Sequence, residues 1–270
     1  MRDFVGNVGA VFTFEWRRSF TAPRLAWLAA LGAFPPAIVV LINIAISNAS
    51  PRDRQQVEPW TLTLFVLGPM VVSMLGVFLW ATPAVSSELE QRSWTYLAVR
   101  PNGNRAVLLG KYLVAVTWTL PSALIGITIA VILTAVPFSD AFRLWLTLVR
   151  LIIISTLAYG AIYSLIGVIM QKRAMVVAVA YTLVLEVFVG WIPAMINQFT
   201  VQFRLRSLLV DWMGMRHGEI GRAFMKQNLL SAAPTWHHIA ILFCGIVFVL
   251  GTALAVLHFK EFSSASETDT

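Results

Sequence analysis

Charge is scarce in this chain. Asp, Glu, Lys and Arg together make up 12% of its 270 residues, where a soluble domain carries about 25%. That shortage excludes an ordinary water-soluble fold. Cysteine is scarcer still. Cys244 is the only one and falls inside an apolar run, which excludes an intrachain disulfide and a thiolate metal cluster. Four histidines, His217, His237, His238 and His258, are too sparse and too differently placed to make a metal site. His237 and His238 fall at the edge of an apolar run, where anchoring at a membrane interface is the simpler role. No GxSxG, HExxH or Walker A pattern occurs, so neither a hydrolase centre nor a nucleotide site is expected. Ser122, Ser155 and Ser164 lie in apolar runs without a suitably placed histidine. There is no internal repeat. Residues 1–20 carry charges throughout, so a cleavable signal is not expected there either.

What the chain has is apolar length. It is 58% hydrophobic with ten Trp, and its mean hydropathy is +0.77. Six runs, 25–46, 60–81, 107–136, 144–170, 174–196 and 239–259, each approach or exceed the ~20 residues that cross a bilayer as a helix. They leave no room for a soluble catalytic domain of usual size. The fold class expected is an all-α polytopic membrane protein with six transmembrane helices. Pro35-Pro36, Gly68-Pro69 and Pro121 mark weak points within spans, because proline removes a donor and crowds the preceding turn. Ahead of the first span, Phe4, Val8, Val11, Phe12, Trp16 and Phe20 form one helical stripe, and Arg2, Glu15, Arg17 and Arg18 occupy much of the rest. That pattern predicts an amphipathic helix lying in the membrane interface over residues 1–20. The net charge of +7 reads as headgroup anchors on a membrane protein, not as a nucleic-acid surface.

The charges that do occur are clustered. Residues 86–111 hold Glu88, Glu90, Arg92, Arg100, Arg105 and Lys111 between two apolar runs. Ser86 or Ser87 is a plausible N-cap, with both glutamates in the first turn where the helix dipole favours anions. Glu88 and Arg92 are spaced i, i+4 in the favourable order. Pro101-Asn102-Gly103-Asn104 then makes a turn, and a new helix begins near Arg105. This segment resembles the loop between the second and third membrane helices of type-2 ABC transporter permeases: an acidic helix, Ser93-Trp94-Thr95 (Trp94 where the common form has Gly), Arg100-Pro101, Arg105, then Gly110-Lys111-Tyr112. The resemblance, with the six-span layout, covers most of the chain. It implies that residues 86–105 form a cytoplasmic coupling helix and loop seated on a separate ATPase. Leu89, Trp94 and Leu97 would be apolar anchors there, with Glu88, Glu90, Arg92, Arg100, Pro101, Arg105 and Lys111 around them. Apolar anchors would carry most of the binding energy and the charges more of the orientation.

Two charges fall inside spans, Arg150 and Glu186. Intramembrane charges are costly and are functional candidates by default. If the chain reverses at Lys172, Arg150 lies roughly 12 Å nearer the outer face than Glu186, so the two are not expected to pair. Arg150 then reads as snorkelling outward, and Glu186 either as a buried acid or as a residue lining a path. Residues 197–238 are the longest non-spanning segment, with apolar positions that allow two short amphipathic helices broken near Gly214–Gly218; they are expected to lie in an outer loop, and the family resemblance implies that they form a re-entrant or interfacial outer gate. Counting Lys and Arg in the short loops puts both termini in the cytoplasm. The family resemblance implies a permease subunit of the inner membrane, with transport directed outward. It would pair with a second permease copy and with ATP-binding subunits that hold the ATP and Mg, no cofactor or catalytic residue being expected in this subunit. The rival expectation is an ATP-independent polytopic protein, such as a proton-coupled transporter using Glu186.

Overall fold

A computed structural model describes residues 2–48, 50, 55–84, 103–170, 173–192, 195–231 and 233–259. In chain order it forms α1 (Arg2–Arg18), α2 (Ala22–Ala45), α3 (Val57–Ala84), α4 (Gly103–Ile132), α5 (Phe138–Ile169), α6 (Ala174–Val189), α7 (Val201–Met213), α8 (Glu219–Lys226) and α9 (Thr235–Phe259). Five of these, α2 to α5 and α9, are long and apolar enough to cross a membrane. The protein is a polytopic helical membrane protein.

The run 174–196 does not form one long span. After eight residues of α-helix, Ala174–Tyr181, the chain widens into eight of π-helix, Thr182–Val189, reaching roughly 24 Å or less. That falls short of the ~30 Å hydrocarbon layer. Apolar sequence continues to Ile192, but Pro193 follows, and the residue before a proline disfavours the helical region. By contrast α5 is longer than expected. Residues 137–143 are its cap and first turns, with Pro137 at the N-cap and Asp140 where the dipole favours an anion.

α4 and α5 are the spine: α1, α2, α3 and α9 contact α4, and α3, α6, α7 and α9 contact α5. The main core lies among α3, α4, α5 and α7, around Leu64, Ile127, Leu148, Ile152, Leu205 and Leu208. α2 and α9 lie at the edges: only 17% and 11% of their most apolar windows are buried, which leaves their outer faces for lipid or another chain.

Proline effects are local. Pro36 removes the amide that would bond the Gly32 carbonyl, and that oxygen faces the bare Cα of Gly126, where an added Cβ would overlap it. α2 and α4 therefore cross closely. Pro69 lies in a π-helical stretch, Val66–Val72, and the Ser155 hydroxyl donates to its carbonyl. Ser122 similarly donates to the Leu28 carbonyl at 2.7 Å. Both serines hold helices together.

The stripe on α1 shares one face as far as Trp16, whereas Phe20 lies beyond the helix and is exposed. Phe4, Val8, Val11, Phe12 and Trp16 are half-buried, Val11 lies over Gly110, and the Trp16 ring stacks on Trp118 with centroids 4.5 Å apart. Lys111, one of the residues marked by the sequence, lies 3.9 Å from Glu15 of α1. The same end of the bundle collects the last turns of α9, where Ala253 and Leu257 pack on Leu108 of α4 and Val168 of α5.

Candidate functional site

α6 carries apolar side chains outward: Leu183, Val184, Leu185 and Phe188 are exposed. Glu186 alone in the Thr182–Val189 stretch is buried, with no accessible surface. A carboxylate so placed must be answered by donors, and four are present. Tyr181 donates to Oε1 at 2.9 Å and the Val201 amide to the same oxygen at 3.3 Å. Tyr159 of α5 donates to Oε2 at 2.9 Å and the Gln202 amide at 3.1 Å. The Gln202 side chain donates in turn to the Tyr159 hydroxyl at 2.9 Å.

The two amides belong to the first turn of α7. A helix N-terminus leaves its first amides without intrahelical partners and concentrates the positive end of the dipole. Glu186 supplies acceptors and charge to that end, while Thr200, the N-cap, accepts from the Phe203 amide at 3.2 Å. The other end is answered with opposite charge. Arg143 of α5 donates from Nε and Nη2 to the Trp212 carbonyl at 3.1 and 2.9 Å, and the Arg150 guanidinium lies over the Trp212 ring at 5.6 Å. Gly214 then ends the helix at φ 69°, the left-handed region that suits glycine.

These anchors fix the depth of α7. Tyr159 and Arg143 are sixteen residues apart in α5, roughly 24 Å along its axis, and α7 runs antiparallel between them. It is almost wholly buried. The first of the two short helices expected in 197–238 is thus packed into the bundle. After α6 the chain turns back and α7 starts within the bundle, because its polar residues find partners there. Non-helical backbone at that depth requires protein around it, and the Met195–Phe199 turn has Asn197 buried and bonded to the carbonyls of Ile192 and Asn228. The break near Gly214–Gly218 is as the sequence predicts, a Met215–His217 turn followed by α8.

Arg206 joins α7 to the end of α6. It is 2% exposed, donates from Nη2 to the Gly190 carbonyl at 2.7 Å, and lies over Trp191 and Phe224 at 4.5 and 5.8 Å. Cation–π contact is strongest in such desolvated settings.

Of the residues singled out from sequence, Glu186 and Arg150 both touch the α7 assembly, at opposite ends and not each other. Arg150 is exposed and rests on Trp212. Arg105 and Lys111 lie in the first turns of α4. Glu88, Leu89, Glu90, Arg92, Trp94, Leu97, Arg100 and Pro101 lie outside the described residues. His238 departs from the interfacial role expected of it: it is fully buried, with Nδ1 3.3 Å from Nη1 of Arg204. Sequence reasoning passed over Tyr159, Tyr181, Gln202, Arg206 and Arg143. The available signal was Tyr159 and Tyr163 at i, i+4 on one face of an apolar helix. Comparison of the chain with protein-family models and with curated proteins finds no match in either.

Proposed function

We propose that this chain is the membrane subunit of a type-2 ABC transporter, an exporter of the inner membrane driven by a separate ATPase. The observation that carries the reading is the gathering of parts at one end of the bundle. α3 ends at Ala84 and α4 begins at Gly103, so the sequence with Glu88, Glu90 and Arg100-Pro101 joins two helix ends, and the second of them, with Arg105, starts beside α1 and the last turns of α9. A coupling helix needs that position, next to an interfacial helix and on the side of both termini. ATP-driven closure of the ATPase would push residues 88–97 and tilt α3 and α4 against the rest. A second permease copy would pair through an apolar edge.

A six-pass count supports the same reading. α5 finishes and α9 finishes at the same end, and in this reading the stretch from α6 through α7 would carry the chain across once more, by a short helix and a re-entrant one. The proton-carrier reading of Glu186 fares worse. Its two oxygens accept from four donors, a saturated arrangement that suits an anchor.

The test is capture from mild detergent of wild type and of Leu89→Asp with Leu97→Asp. An ATP-binding subunit should co-purify with wild type and be lost from the double variant. A folded wild-type protein that brings down no ATPase overturns the proposal and returns Glu186 to consideration as a proton site.

A further inference from the structure

Between α5, α9 and the turn that leads into α7 lies a cavity of about 350 Å³, within the ~300–1,000 Å³ usual for small-molecule sites. Ala158 and Ile162 of α5 and Leu242, Gly245 and Val249 of α9 make apolar walls, and Arg204 of α7 lines the same space. It opens beside Gly245 and Ile241, which are exposed on the outer face of α9.

Arg204 is the feature without an explanation in the fold. Arg206 also keeps Nε and Nη1 buried without hydrogen-bond partners, but it does not line this cavity, its Nη2 has a carbonyl and its plane two aromatic faces, and Arg216 has Asp211. Arg204 has the imidazole of His238 at 3.3 Å and the ring of its neighbour Phe203 at 5.4 Å, while its Nε is buried without a partner. Among the described residues no carboxylate lies within ion-pairing distance of it. Arginine only donates, so His238 accepts at Nδ1 and holds the guanidinium in place. A cation at the wall of an apolar cavity is costly unless an anion joins it, and a guanidinium offers paired donors suited to a carboxylate or phosphate. The larger cavity, about 660 Å³ between α1, α2 and α4, is lined by Trp16, Leu28, Pro36 and Trp118 and offers no charged group. It would take any apolar chain, whereas the Arg204 cavity discriminates.

We infer that the cavity between α5 and α9 binds a single-chain anionic amphiphile, its tail against Leu242, Gly245 and Val249 and its head on Arg204. The inference deepens the transporter reading, because such a molecule would be the cargo, entering sideways from the bilayer.

The experiment is native mass spectrometry of the full chain in a neutral detergent without any ATPase, titrated with dodecyl phosphate. Wild type should bind it, and Arg204→Gln and Gly245→Phe should each bind at least about tenfold more weakly, about 1.4 kcal/mol. Arg204→Lys should recover part of the loss, and dodecyltrimethylammonium should not bind. Gly245→Phe guards against a folding defect at Arg204, since a Cβ at 245 meets nothing within 4 Å. Equal binding by wild type and a folded Arg204→Gln protein, or binding of the cationic probe as tightly, overturns the site. Displacement of dodecyl phosphate by an equal concentration of dioleoyl phosphatidic acid makes the occupant a bilayer lipid and overturns the cargo assignment. ATPase capture is not involved, so binding retained in a chain that recruits no ATPase would overturn the transporter reading alone.

Discussion

Replacing Glu186 by Gln changes no more than one oxygen to an amide nitrogen, and that is enough to break the node. Whichever way the amide turns, its NH2 faces one tyrosine hydroxyl and one backbone amide, either Val201 or Gln202. The hydroxyl can rotate to accept; the amide cannot. One buried donor is left unanswered, at a cost of about 1–3 kcal/mol. Tyr181→Phe removes one donor, leaves the carboxylate three others and strands no buried amide, so it should cost less. Thermal unfolding in detergent, followed by tryptophan fluorescence, should therefore rank wild type above Tyr181→Phe above Glu186→Gln. A proton carrier would show the opposite balance, with Glu186→Gln stable and proton-coupled transport lost. Glu186 was conspicuous in the sequence because a lone acid in an apolar run has few innocent explanations. Its partners were not, because tyrosines are common in spans and the Val201 and Gln202 amides carry no sequence signal.

At the scale of elements, legibility followed length and regularity. α2, α3, α4, α5 and α9 each carry an uninterrupted apolar run, and the stripe on α1 fixed the face that meets α4. α6 and α7 were misread for linked reasons. Hydropathy counts apolar residues and so extended α6 to 196, although the helix stops at Val189. Conversely Gln202, Arg206 and Ser207 make α7 look like surface, and all three are buried, each with a partner: Tyr159 for Gln202, the Gly190 carbonyl for Nη2 of Arg206, and the α7 backbone for Ser207. The close crossing of α2 and α4 makes a sharp prediction. An alanine Cβ at 126 would overlap the Gly32 carbonyl, which is backbone and cannot swing aside, whereas at 251 it would meet nothing within 4 Å. Gly126→Ala should lower stability by about 1–3 kcal/mol and Gly251→Ala should leave it unchanged or slightly raised. Equal unfolding temperatures for the two variants would mean that α2 sits farther from α4.

For the whole molecule the decisive quantity is the parity of crossings. Five helices are long enough to span, and five crossings alone would put the termini on opposite sides. Yet α1 packs on Gly110 near the start of α4, and Leu257 of α9 packs on Leu108 at the same end, which needs an even number of passes. In the proposed reading the short α6 and the re-entrant α7 together would make the extra one. With Cys244, exposed on α9, replaced by Ser, single cysteines at Asn7, Gln55 and Ser264 should report this directly. A membrane-impermeant maleimide applied to intact cells should label Gln55→Cys alone, and Asn7→Cys and Ser264→Cys should react after the membrane is opened. Labelling of Asn7→Cys and Ser264→Cys from opposite sides would mean that the stretch from α6 to α8 does not complete a crossing. Segment 85–102 would then still share a side with α1, but the last turns of α9 could not pack at that end of the bundle. Labelling of both from outside would keep the parity and invert the molecule, placing segment 85–102 where no cytoplasmic ATPase could reach it.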